Sequence, residues 1–141
     1  MYQTAYTQNL YSNSGLLLEH QLGSFRPGDI LMIWYKGVRH YGVYVGGGLV
    51  IDSSKRDGGV AKVSIETFRA GRDVKNLGHT GPLSRSEVVN RAFAQIGQKW
   101  SLISSNCESF YRSCQGRSEI SFQVLAGAVM AGCLVVSLSR R

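Results

Sequence analysis

Cysteine is scarce in this chain. Cys107, Cys114 and Cys133 are the three in 141 residues, and no pair has Cys-x-x-Cys spacing. That excludes the usual zinc ligand patterns, and an odd number cannot close a full disulfide framework, so a reducing compartment is the simpler setting. Acidic residues are also few, nine Asp plus Glu against sixteen Lys plus Arg, for a formal charge of +7. The excess favours anionic partners such as phospholipid head groups or nucleic acid. The basic residues are scattered over strands and loops, without a recognition helix or aromatic RNA-binding signature, which fits a solvated surface near an anionic membrane. Internal repeats, low-complexity tracts and interdomain linkers are missing. With 43% hydrophobic residues, the chain reads as one globular domain able to bury about two thirds of its unfolded surface.

What is present reads as strands followed by helices. Ile30 to Tyr35 and Val38 to Val45 are β-rich, with Trp34 and Tyr35 expected in the sheet core. Leu49 to Asp52 continues a hairpin after Gly46-Gly47-Gly48, and Val60 to Ile65 alternates apolar and polar residues. An antiparallel sheet follows. Ser84-Arg85-Ser86-Glu87 is a capping box, after which Val88, Val89, Ala92, Phe93 and Ile96 recur at helical spacing until Gly97. A second helix starts near Asn106. Residues 55–59 and 71–82 read as exposed loops.

Two residues carry the chemistry. His40 lies in the β-rich stretch and Cys107 opens the run Asn106-Cys107-Glu108-Ser109-Phe110-Tyr111. An imidazole and a thiol are the minimum parts of a covalent acyl-transfer site, and the partial positive charge at a helix start favours a thiolate placed there. The Gly-turn hairpin returns Asp52 towards His40, where a carboxylate would accept the second ring N–H and hold the tautomer. Tyr41 and Asn106, beside these groups, are candidates for lining the pocket or donating to an oxyanion. His20 and His79 match no motif. Cys114 is expected to pack, and Cys133 to fill the C-terminal segment.

Three motifs in order, Pro27-Gly28-Asp29-Ile30-Leu31, His40-Tyr41-Gly42-Val43-Tyr44-Val45-Gly46 and Asn106-Cys107-Glu108-Ser109-Phe110, resemble the lecithin:retinol acyltransferase family. The pattern is similar to that of the small H-Ras-like suppressor phospholipase/acyltransferases and of the H-box/NC picornaviral 2A proteins. The resemblance implies an α+β fold of permuted NlpC/papain-like type, an antiparallel sheet packed against helices. It implies Cys107 as nucleophile, His40 as general base and acid, and Asp52 as the orienting residue, with no metal or organic cofactor. The implied activity is cleavage of glycerophospholipid acyl esters through an acyl-cysteine intermediate, followed by transfer to water, an amine or a hydroxyl. Cellular members carry His at the position of Asp52 and usually at that of Ser109. The alternative is a catalytically silent viral 2A-like protein acting through membrane, RNA or host-protein interactions.

Both ends differ from the middle. Residues 1–24 are polar and Tyr-rich without the basic start and apolar core of a signal peptide, and read as an N-terminal extension. The catalytic domain is expected over 25–119. Residues 120–141 include an uncharged run, Ile120 to Ser139, closed by Arg140-Arg141. As a hydrophobic helix that run has the length of a membrane anchor, which would hold the domain at the cytoplasmic face of a phospholipid membrane, against the alternatives of a buried or interfacial helix.

Overall fold

The computed structural model describes residues 23–102, 106–118 and 126–130. Five strands, β1 (Ile30–Tyr35), β2 (Val38–Gly46), β3 (Leu49–Ser54), β4 (Gly59–Ser64) and β5 (Lys75–Gly78), form one sheet in the order β4-β3-β2-β1-β5. All adjacent pairs are antiparallel. Among the described residues helices α1 (Ile65–Arg69), α2 (Arg85–Ala94) and α3 (Cys107–Cys114) pack with this sheet in an α+β arrangement. The β1–β2 turn is Lys36-Gly37, with φ of 50° and 82°. Two positive φ values in a two-residue loop match the twist of the flanking strands, and glycine adopts that geometry without steric cost.

Each face of the sheet carries its own core. Ile30, Met32, Tyr41, Val43, Ile51 and Val60 pack with Val88 and Ala92 of α2 and with Phe110 and Cys114 of α3. On the other face Leu31, Ile33, Tyr44 and Val50 pack with Ile65 and Phe68 of α1. Burial on both sides explains why Ile30 to Ile33 is a continuous apolar run, not an alternating one. The strand carrying His40 is therefore the middle of five, covered by helices on both faces.

The Pro-Gly-Asp motif ties these layers together. Asp29 is 3% exposed and accepts from Arg26 N at 2.9 Å, Asn76 Nδ2 at 3.0 Å and Arg85 Nη1 at 2.6 Å. Burial pushes its carboxyl up, but the Arg26, Arg85 and Asn76 hydrogen bonds outweigh it and hold the pKa below the ordinary value. One buried carboxylate thus joins the entry to β1, strand β5 and helix α2.

Four sequence expectations change. β5 lies inside 71–82, read as a loop; its pattern is short and polar because it is an edge strand, anchored by Asn76 pairing with Leu31. Ile65 begins α1 instead of ending a strand, since the Ser64 hydroxyl caps Thr67 N at 3.1 Å. Helix α2 stops at Ala94, short of Ile96. Trp34 and Tyr35 are not core but 56% and 39% exposed, because the hairpin runs out past the packed helices. The expectations for residues 1–22, including His20, and for Cys133 lie outside the described residues. So does most of the anchor segment: residues 126–130 are helical and exposed, and no described helix is long and apolar enough to cross a membrane.

Candidate active site

Pairing of β2 with β3 runs from Gly46↔Leu49 to Gly42↔Asp52. Residues 40, 42 and 44 point to one face, as do 50 and 52 of β3, so His40 and Asp52 meet diagonally across the strand pair. His40 Nε2 lies 2.6 Å from Asp52 Oδ2, with side chains 17% and 0% exposed. Between them stands Gly42, whose missing side chain is occupied by its neighbours. A Cβ there would sit 2.5 Å from Val50 Cγ1 and 2.9 Å from Phe68 Cε2. The Phe68 ring fills that gap and supports the imidazole, with ring centroids 5.4 Å apart. Gly42→Ala is expected to destabilise the fold by about 1–3 kcal/mol through overpacking. Urea unfolding checks this as a lowered midpoint at unchanged m-value; an unaltered midpoint would show that Phe68 yields freely.

Cys107 is the first residue of α3, reached through an Asn106 cap with extended backbone. The Asn106 side-chain oxygen accepts from Glu108 N at 3.0 Å and Ser109 N at 2.9 Å, while Nδ2 donates to Leu102 O at 2.6 Å. Asn106 therefore sets the direction in which the helix starts. From there the Cys107 thiol donates to Arg39 O at 3.8 Å, on the part of β2 that extends beyond its ladder with β3. The sulfur is thus brought beside the residue preceding His40.

His40 is held between two partners. Burial lowers its pKa, but the Asp52 hydrogen bond, then the Cys107 hydrogen bond and charge, outweigh it and raise the value from 6.5 to about 9. Because Nε2 is committed to Asp52, the ring nitrogen left to exchange a proton with sulfur is Nδ1. Below about pH 9 the ring is protonated on both nitrogens, with Nε2–H bonded to Asp52. On giving up the Nδ1 proton it keeps Nε2–H on the carboxylate and a lone pair on Nδ1, the tautomer a base needs. The arrangement is a thiol, an imidazole and a buried carboxylate in series.

Arg56 is a site residue that its position in a loop concealed. Its Nη2 lies 3.7 Å from Asp52 Oδ1, a fully buried oxygen without a hydrogen-bond partner. The guanidinium is steered by Asp57, through Nε at 3.0 and 3.1 Å and through Nη2, and by Thr67 O at 3.1 Å. The cation therefore faces the carboxylate from the side opposite His40. The i, i+4 spacing of Asp52 and Arg56 gave no warning, since it has helical meaning only in a helix.

Tyr41 points to the face opposite His40 and Asp52, where it belongs to the buried cluster that Cys107 borders, its ring tilted against that of Tyr111 with centroids 4.5 Å apart. Burial and the neighbouring Tyr111 raise its pKa against the opposing Arg39 hydrogen bond. Cys114 is fully buried, and burial pushes its thiol up to about 12, so it packs as expected. His79 Nε2 is 2.6 Å from Leu83 O, far along the chain from this site.

A family model described as lecithin retinol acyltransferase matches residues 23–119. The chain is 26% identical over 140 residues to human phospholipase A and acyltransferase 3, an alignment covering 81% of this chain and 86% of that protein. Similarity to the mouse protein of the same name is 27% over 137 residues, covering 81% and 85%.

Proposed function

Because this chain belongs to the lecithin retinol acyltransferase family, we propose that it is a cysteine-dependent phospholipase and acyltransferase with a permuted papain-like arrangement of strand and helix. The observation that carries this reading is the His40 imidazole clamped by the buried Asp52 carboxylate at 2.6 Å while the helix-start Cys107 acts on the same ring. The relatives named for phospholipase A and acyltransferase activity support a glycerophospholipid ester as the substrate.

In the proposed reaction, His40 Nδ1 takes the Cys107 proton and the sulfur attacks the ester carbonyl. The backbone N–H of Cys107, in the first turn and so without an intrahelical acceptor, is available to the developing oxyanion. Asn106 contributes by fixing that turn. Collapse of the tetrahedral intermediate breaks the ester C–O bond, and the His40 imidazolium protonates the departing lysophospholipid alkoxide. Water, an amine or a hydroxyl then attacks the thioester, with His40 accepting its proton and returning it to sulfur. Asp52 stabilises each imidazolium and Arg56 holds Asp52. The tail from Ile120 to Ser139 is proposed to tether the domain to a cytoplasmic membrane surface.

Trapping tests this scheme. Incubation with phosphatidylcholine radiolabelled in its acyl chain, followed by acid quenching, is expected to leave hydroxylamine-labile label on the wild-type protein and none on Cys107→Ala. Equal labelling of both proteins would end the proposal.

A further inference from the structure

We infer that the β1–β2 hairpin tip is an interfacial docking surface for an anionic phospholipid bilayer, seating the Cys107–His40 site against the lipid. The inference deepens the reading above and rests on it for the identity of the substrate, but its evidence lies in different residues.

Trp34 is 56% exposed, Tyr35 39% and Val38 53%, all within a hairpin closed by the two-residue turn Lys36-Gly37. Trp34 is paired opposite Arg39 and Tyr35 opposite Val38, so each pair shares a face and the two pairs lie on opposite faces. The tip is therefore an apolar wedge with large side chains on both sides. Exposed tryptophan and tyrosine clustered in this way mark an interaction surface more often than an ordinary exterior.

The charge around the wedge selects the partner. Lys36 Nζ and the Arg72 guanidinium lie 5.6 and 4.6 Å from the Tyr35 ring centroid, and the Arg39 guanidinium 5.7 Å from that of Trp34. Asp73 is the acidic residue next to this group in sequence, leaving a cationic excess. Amphipathic rings ringed by Lys and Arg match the head-group region of an anionic bilayer, where rings settle at the interface and cations meet lipid phosphates. The wedge also leads directly to the chemistry. Arg39, whose side chain rests against Trp34, carries the carbonyl that receives the Cys107 thiol at 3.8 Å, and the next residue is His40. A lipid partly withdrawn from a bilayer at this tip has its ester bonds next to the sulfur.

The full-length chain contains two tryptophans, so Trp100→Phe leaves Trp34 as a single reporter. With vesicles of phosphatidylcholine and phosphatidylserine, Trp34 emission is expected to shift to the blue and to be quenched by lipids brominated on the acyl chain. The response should shrink with pure phosphatidylcholine and in about 0.5 M NaCl, where exposed charges are screened. Lys36→Asn and Arg72→Gln should each lower vesicle affinity about fivefold, the scale of one basic residue at an anionic surface. Trp34 emission that stays unchanged while the protein cosediments with vesicles, or that responds to single-stranded RNA and not to vesicles, would overturn the inference. The two readings fail separately. A Trp34 shift without label on Cys107 would remove the chemistry and keep the surface, whereas label from micellar phosphatidylcholine without a Trp34 shift would do the reverse.

Discussion

Alanine at Cys107 or at His40 is expected to lower kcat/KM for phosphatidylcholine hydrolysis by about 10³- to 10⁵-fold, with the double variant little worse than either single one. Residues that act as a unit are non-additive, because loss of the nucleophile leaves the base nothing to activate and loss of the base leaves a thiol. Release of lysophospholipid from mixed micelles measures this. A double variant showing the product of the two single losses would mean that the residues act independently, contrary to the influence of Cys107 on the His40 pKa. Cys107 is half-buried, and although His40→Ala removes the partner of the buried Asp52 and should lower stability, neither loss is expected to unfold the protein. Circular dichroism of the variants should match the wild type.

Asp52→Asn has the second largest expected effect, and its signature is in the pH profile. The amide oxygen can still accept from His40 Nε2, so the tautomer survives, but the charge that raises the imidazole pKa is gone. The wild-type alkaline limb of kcat/KM is expected near pH 9, where the His40 imidazolium loses its proton and with it the acid for the leaving group. In Asp52→Asn that limb should move towards 6.5, and activity at pH 8 should fall by about 10- to 100-fold. Asp52→Ala, which also loses the hydrogen bond, should fall further at every pH. An alkaline limb unmoved in Asp52→Asn would show that the carboxylate does not set the His40 pKa.

The same shift carries a stability consequence. The folded pKa of His40 is about 9 against 6.5 for the free group, so it is raised. The stabilisation from protonated His40 is then complete below about pH 6.5 and disappears as pH rises through about 9, an effect on the order of 1–3 kcal/mol. Urea midpoints at pH 6 and pH 10 should differ by less in His40→Ala than in the wild type.

Much of the molecule was legible before its coordinates because the causes are local. Gly46-Gly47-Gly48 specifies a turn that brings Asp52 back towards His40, but its arrival on the His40 face depends on the register shift between Tyr44 and Gly46, because unbroken pairing from Gly46↔Leu49 would set Asp52 opposite Val43. Ser84-x-x-Glu87 marks a helix start for a similarly short-range reason, as does Asn106 before Cys107. Polar β5 carries no such pattern: it is a strand because Asn76 meets Leu31 and Asp29, partners distant in sequence. Ile65 fits the alternation of a strand although it begins α1, because its burial against the sheet does not depend on which element holds it.

By itself, the sequence determined the hairpin and the helix start that carry an imidazole, a carboxylate and a thiol. Tertiary structure alone decided that Phe68 fills the space left by Gly42, that Arg56 faces the buried oxygen of Asp52, and that Trp34 and Tyr35 stand in solvent. Turns and caps act over a few residues and leave a periodic trace, whereas these contacts depend on where whole helices and loops come to rest on the sheet.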